Sequence, residues 1–565
     1  MRAYMRPSMR NGTMSKSIKA QNKERLYLFD TTLRDGAQTT GVDFSVEDKR
    51  LIATLLDELG IDYIEGGYPG ANPTDTAFFG DRPKLAHAKF TAFGMTKRAG
   101  RSASNDPGLA ATLDADTDAV CLVAKSSSFQ VAVALGISEE ENLEGIAESV
   151  KAVAARGREP MIDCEHFFDG YKLNRDYALA CVHAALDNGA RWAVLCDTNG
   201  GTLPDEVERI VGEVIASGVP GEKLGIHAHN DTENAVANSL AAIRAGVRQV
   251  QGTLNGLGER CGNANIVSIV PTLLLKPLYA DRFEIGVTHE RLKSLVHVSR
   301  TLDEILNRAP NRYAPYVGES AFASKAGIHV SAILKDPTTY EHVPPESVGN
   351  KRRIAVSDQA GKSNILARLE EAGIAVDPQD RRISRLLDEV KEREFLGYSY
   401  DGAEASFELL ARRILGTVPE FFDVESFRVL VERRYNAIGD LVTVSEATVK
   451  VVVDGEKFIS VGEGNGPVNA LDQALRKDLG KYSPYIEDLS LADFKVRILT
   501  SGTEAVTRVM IESMDRAGER WFTVGVSPNI VDASFQALTD SITYKLLRDN
   551  APVPATHTRK EKAGA

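Results

Sequence analysis

The chain has 565 residues, 43% hydrophobic and 26% charged, the balance of an ordinary globular protein with room, at ~150 residues per domain, for three or four domains. Its 67 Lys and Arg against 79 Asp and Glu leave a net charge of −12, which argues against a nucleic-acid partner, and no run reaches the ~20 apolar residues of a membrane span. The chain's length excludes a peptide-sized or disulfide-stapled fold, and five cysteines, sparse and without a CxxC pair, suit a reducing compartment, so a cytoplasmic protein is expected.

Residues 1–25 hold seven basic residues and one acidic residue, Glu24, with no apolar signal core. They read as a disordered tail or as an early start codon followed by Met5, Met9 and Met14; a transit peptide is the alternative. From residue 26, short apolar runs recur roughly every 30 residues, each followed by an amphipathic helical stretch. The spacing predicts strands at Leu26 to Asp30, Ile61 to Glu65, Phe90 to Gly94, Ala119 to Val123, Met161 to Glu165, Trp192 to Cys196, Leu224 to His227 and Gln249 to Thr253. In the first helix Ser45 and Asp48 have capping-box spacing, Leu51, Ile52, Leu55, Leu56 and Leu59 form the stripe, and Gly60 ends it. Such βα units over 26–275 fit a closed (β/α)8 TIM barrel better than an open doubly wound sheet, which stays the alternative because periodicity cannot show closure.

In a barrel, function sits at the C-terminal strand ends, and there the polar residues gather. Arg34 and Asp35 follow strand 1, Glu65 ends strand 2, Glu165 ends strand 5, Asp197, Thr198 and Asn199 follow strand 6, and Glu259, Arg260 and Asn263 follow strand 8. On strand 7, His227 and His229 are two apart and face one way, a chelate in want of a third ligand, with Asp35 the foremost oxygen donor. Mn, Zn or Mg would each suit a Lewis acid there. The plainer readings are hydrogen-bonded core histidines, rim ion pairs at Arg34 and Glu165, and packing for Cys261. Gly361-Lys362-Ser363 lacks the earlier glycine of a phosphate loop, since Val356 stands there.

The motifs DTTLRDG, HAHND and GERCGNAN together resemble the metal-dependent acyl-CoA condensing and cleaving barrels: the 2-isopropylmalate, homocitrate and citramalate synthases and the hydroxymethylglutaryl-CoA lyases. Within that group RDGAQTTGVDFS, EGGYPGANPTD, CEHFFDGY and LNGLGERCGNANI look most like the long-form (R)-citramalate synthases. The resemblance implies condensation of acetyl-CoA with pyruvate, with 2-oxoisovalerate as the rival keto acid and an acyl-CoA lyase or a non-catalytic amino-acid sensor as more distant readings. It implies that Asp35, His227, His229 and, directly or through water, Asn263 hold the divalent metal. Arg34 would face the keto oxygen, Thr198 bind the carboxylate and Glu165 lie near the acetyl methyl group. Either Glu165 or His329 would be the base.

Residues 276–415 read as helical subdomains, with stripes at Arg291 to Leu306 and Ser384 to Val390. The resemblance implies that this region completes the partner's site in a homodimer, with His329 and Tyr340 acting in trans. Residues 416–550 contain a repeat: Glu456 to Gly462 recurs at Glu519 to Gly525, 63 residues later, and Ala470, Ala474 and Leu475 match Ala533, Ala537 and Leu538. The repeat predicts a duplicated α+β domain. By resemblance it is regulatory, bound by isoleucine at Gly462, Gly464, Asn465, Gly466, Gly525 and Ser527. Residues 551–565 read as a second tail.

Overall fold

The computed structural model describes residues 23–553, apart from 355–360, 436, 478 and 501–504. Contacts divide the chain into two units, residues 1–322 with 343–351, and residues 323–342 with 352–565. The sequence boundaries at 275/276 and 415/416 fall inside these units: Leu292, Leu295, Leu302 and Phe322 pack into the barrel's own core, and Leu410 and Leu415 share a core with Val524.

In the first unit eight parallel strands pair in chain order: β1 Tyr27–Asp30, β2 Tyr63–Glu65, β3 Lys89–Met95, β4 Ala119–Lys125, β5 Glu159–Glu165, β6 Trp192–Asp197, β7 Leu224–Ala228 and β8 Gln249–Gly252. β8 closes on β1 from Tyr27 opposite Gln249 to Asp30 opposite Gly252, which removes the open-sheet alternative. Of the expected N-terminal tail, residues 1–22 lie outside the described residues, and its end is part of the fold. Glu24–Arg25 pairs in parallel with Phe283–Glu284, and Glu24 bonds Arg248 and Arg282.

Helix α1, Val46–Leu59, begins with the expected box: Ser45 Oγ accepts from Asp48 N at 3.1 Å and the Asp48 carboxylate accepts from Ser45 N at 2.9 Å. Ile52, Leu55, Leu56 and Leu59 are buried, whereas Leu51, about 100° round the helix from Ile52, is 45% exposed and is not part of the stripe. The helix ends on Gly60 at φ 101°, where an added Cβ would lie 2.7 Å from Gly286 O. The single helix expected over Arg291 to Leu306 is two, His289–Leu292 and Leu295–Ile305, broken where Ser294 Oγ donates to Arg291 O.

The second unit contains α2 Gly327–Ile333, α3 Lys362–Glu371, α4 Arg381–Phe395 and α5 Glu404–Leu415. They are followed by two copies of three antiparallel strands and a helix. The first copy is β9 Asp423–Tyr435, β10 Leu441–Val453, β11 Glu456–Gly464 and α6 Pro467–Lys477. The second is β12 Ser490–Ile498, β13 Thr507–Met514, β14 Arg520–Ser527 and α7 Ile530–Arg548. The matched residues Ala470, Ala474, Leu475, Ala533, Ala537 and Leu538 all enter one core. Ala551 is buried in it and Pro552 O accepts from Tyr482 Oη at 2.9 Å, so these two residues belong to the domain and not to the expected tail, the rest of which, from 554, lies outside the described residues. No helix among the described residues is long and apolar enough to cross a membrane.

Gly60→Ala forces a side chain into a left-handed backbone against a carbonyl, a strain of about 1–3 kcal/mol. A melting temperature of the barrel several degrees below that of the parent protein, followed by near-ultraviolet circular dichroism, is the expected result.

Candidate active site

Alternate side chains of a barrel strand face the interior. Near the N-terminal strand ends Phe29, Tyr63, Cys121, Met161, Trp192 and Val194 pack into an apolar plug. Two positions further along, the same faces carry Thr31, Glu65, Asp163 and, on β8, Gln251, all buried. The plug closes the barrel floor, so these polar groups can meet solvent or substrate only from the C-terminal face.

Arg34 is the hub of this polar layer. Its Nε donates to Glu65 Oε2 at 2.7 Å and its Nη1 to Asp35 Oδ2 at 2.9 Å, with Asp163 Oδ2 4.0 Å from Nη2 and the Phe93 ring 4.0 Å from Cζ. Burial disfavours the guanidinium's charge, but Glu65, Asp35 and Asp163 outweigh it and raise its pKa. Burial and the neighbouring Asp163 raise the Glu65 pKa against the pull of Arg34. For Asp35 burial is overcome by Arg34, His227 and His229, which hold its carboxyl down at about 2.

Asp35, His227 and His229 each present one ligand atom within 4.8 Å of the others. His227 Nε2 lies 3.7 Å from Asp35 Oδ2 and 3.4 Å from His229 Nε2. A divalent cation fits this donor set on two further observations. Three carboxylates surround one guanidinium, an excess of buried negative charge that a dication would offset. Asn263 Oδ1 is buried without a hydrogen-bond partner while its Nδ2 donates to Asp35 Oδ1 at 2.8 Å. Burial and His227 depress the His229 pKa to about 4, which keeps the ring neutral for ligation.

Around the same rim Glu165 Oε2 meets Lys125 Nζ at 2.5 Å. His166, at φ 58°, donates its backbone N–H to Thr198 Oγ1 at 2.8 Å, which leaves the Thr198 hydroxyl proton free to face a ligand. Arg260 fastens the loop after β8 by bonds to Asp231 and to Thr198 O at 2.7 Å. Two cavities open here: one of 310 Å³ reaches Glu165, Lys125, Met95 and Val123, and one of 450 Å³ reaches Arg34 and Phe93. Tyr68 lines both.

His329 and Tyr340 belong to the second unit, where their rings meet at 4.3 Å between centroids, tilted by 32°. Tyr340 is exposed, as are Ile328 and Leu334 beside the pair in sequence. Of the residues expected to bind an effector, Gly462 and Gly525 have a packing reason: a Cβ would lie 2.5 Å from Ala474 N and 2.0 Å from Ala533 O, in the helix laid across each sheet. Gly464 is closed off in the same way by Asn469 and Ala470. Gly466 has open space, Asn465 N donates to Asn469 Oδ1, and Ser527 Oγ accepts from Asn529 N.

Residues 25–299 match the HMGL-like family, residues 316–394 the homocitrate synthase post-HMGL domain-like family and residues 401–546 the LeuA allosteric (dimerisation) domain. The chain is 49% identical over 530 residues to the (R)-citramalate synthase of Aquifex aeolicus, covering 93% of this chain and 98% of that one. It is 52% identical over 523 residues to that of Geobacter sulfurreducens, covering 92% and 97%. The probable 2-isopropylmalate synthase of Methanopyrus kandleri is 34% identical over 523 residues, covering 92% and 98%. The chain belongs to the (R)-citramalate synthase family. The family motifs single out the residues at strand ends, but Asp163, Gln251 and Lys125 escaped the sequence reading. Their signal is the two-residue alternation: Met161, Asp163 and Glu165 share one strand face, as do Gln249 and Gln251.

Titration of metal-free protein with Mn2+ in a calorimeter is expected to show one ion per chain, lost in His227→Ala and His229→Ala. Asp30, fully buried at the end of β1, keeps its proton to about 7 because burial outweighs its bonds to Thr32. The folded state therefore holds more protons than the unfolded one between the ordinary 3.8 and about 7, and loses stability as pH rises through that window. Asp30→Asn is expected to melt above the parent protein at pH 8 and to lose that advantage below about pH 4.

Proposed function

We propose that this citramalate synthase family member condenses acetyl-CoA with pyruvate and hydrolyses the resulting thioester, releasing (R)-citramalate and CoA. The near full-length match to citramalate synthases, at 49% and 52% identity, supports pyruvate over 2-oxoisovalerate. The observation that carries the site assignment is the half-buried guanidinium of Arg34 beside the Asp35, His227 and His229 group. A divalent cation held by those three, with Asn263 Oδ1 as a further donor, would polarise the keto acid's carbonyl as a Lewis acid.

The chain's own residues do the rest. Thr198 donates its hydroxyl to the keto acid's carboxylate. The pantetheine arm of acetyl-CoA takes the 310 Å³ cavity, whose Met95, Leu109 and Val123 are apolar and which reaches Glu165. Glu165, or His329 of a second copy, takes a methyl proton; the methyl carbon then bonds to the keto carbon, whose oxygen gains the charge that Arg34 stabilises. The alkoxide takes up a proton, in balance with the one the base removed; a water placed by His329 and Tyr340 then adds to the thioester carbonyl, the C–S bond breaks, and the thiolate leaves and takes the water's proton.

A homodimer is supported by exposed apolar residues on the sheets of the second unit, among them Ile459, Val461, Val496 and Ile498. Isoleucine is the proposed effector. A 550 Å³ cavity lined by Glu463, Gln473, Arg476 and Lys477 offers the opposite charges that the ammonium and carboxylate of an amino acid need. Five free cysteines are consistent with the cytoplasm.

Thiol release from acetyl-CoA, followed colorimetrically with a panel of 2-keto acids, should be fastest with pyruvate and vanish with chelator; faster release with 2-oxoisovalerate would transfer the assignment to isopropylmalate. Arg34→Lys, which keeps the charge but not the planar fork, is expected to lower kcat/KM about 10²–10³-fold. Mixing inactive Arg34→Ala and His329→Ala chains should restore part of the activity if His329 acts in trans, and none if it acts within its own chain.

A further inference from the structure

Behind His227 lies a chain of buried contacts that the proposed reaction does not use directly. His227 Nδ1 is 2.8 Å from Gln251 Oε1, and Gln251 Nε2 donates to Asp163 Oδ1 at 3.0 Å. Gln251 is wholly inaccessible, and Asp163 and His227 are about 95% buried. An amide can be turned end for end, but here one orientation is fixed by chemistry. A carboxylate oxygen accepts, so the amide's NH2 faces Asp163. Turned round, the amide oxygen would sit against the carboxylate, two acceptors about 3 Å apart in a dry interior. With the NH2 committed to Asp163, the carbonyl faces His227, and a carbonyl can only accept. His227 Nδ1 must therefore carry the proton, and the lone pair is left on Nε2, the atom that faces Asp35 and His229.

We infer that Gln251, held by Asp163, is a positioning residue that fixes the His227 tautomer and ring orientation needed to ligate the divalent cation. The inference rests on the reading of Asp35, His227 and His229 as a metal site. The relay begins at Asp163, which also lies beside Arg34, so the same carboxylate orients the metal ligand and borders the guanidinium. A neutral amide is the suitable link: it passes the orientation on without adding a further negative charge to the three carboxylates already there.

The test reads metal binding by metal-free protein, without substrate. Gln251→Met keeps the bulk but removes both polar ends; the double variant Gln251→Glu with Asp163→Asn keeps an oxygen facing His227 Nδ1, gives its other oxygen an amide donor and leaves the net charge unchanged. Calorimetric titration with Mn2+ should show about 10–100-fold weaker binding in the Met variant, the range for loss of such an outer partner. The visible spectrum of bound Co2+ should change with it. The double variant should recover most of the affinity. Parent-like affinity in the Met variant, or equal losses in both variants, would overturn the inference, the second outcome marking Gln251 as packing only. If the Met variant does not fold, Asp163→Asn serves, because it frees the amide to turn; a smaller loss in the same direction is expected, and unchanged affinity overturns the inference. Normal citramalate formation with an unaffected Met variant removes this inference alone, whereas metal binding without thiol release removes the proposed reaction and leaves it standing.

Discussion

One guanidinium among several buried carboxylates is the constraint on which the site depends. Arg34 touches Asp35 and Glu65 and approaches Asp163, all of them almost inaccessible. Removing charges from water is expensive unless they are paired and hydrogen-bonded, and here negative charge exceeds positive. That imbalance makes the Asp35, His227 and His229 group a suitable seat for a dication and gives Arg34 its fixed direction. A reaction that develops negative charge on oxygen can use a cation that needs no reorganisation to meet it.

The barrel makes this arrangement affordable by dividing its interior into layers. Aromatic and apolar residues such as Phe29, Tyr63 and Trp192 fill the floor, and the polar layer above them is composed of groups that satisfy each other. Thr31 donates to Glu65, Gln251 joins His227 to Asp163, and Asn263 ties the loop after β8 to Asp35. The orphaned atoms, Glu65 Oε1 and Asn263 Oδ1 among them, lie in this same layer, where a bound ion or substrate would supply partners.

In the second unit the duplication is a packing solution. Each three-stranded sheet needs a helix to cover one face, and the glycines at 462 and 525 let that helix approach the strand backbone. Small matched residues, Ala470 and Ala533, Ala474 and Ala537, face the same core. The other sheet faces keep exposed Ile459 and Ile498, the kind of surface a second copy would cover. Glycines that in the sequence suggest a binding loop are thus partly accounted for by helix-on-sheet contact.

The sequence by itself determined the local and periodic features: the strand positions to within about two residues, the capping box at Ser45, the repeat at 456 and 519, and the strand-end residues Arg34, Asp35, His227 and His229. These are legible because hydrogen-bonding period and capping chemistry act over a few residues. Closure of the sheet, the break at Ser294, the packing that orders Glu24 and Ala551, and the unit boundary at 322 were decided by tertiary structure alone. So was the relay from Asp163 through Gln251 to His227. It joins strands β5, β7 and β8, separated by up to 88 residues, and which polar side chains share a layer depends on strand register around the barrel, which no single stretch of sequence encodes.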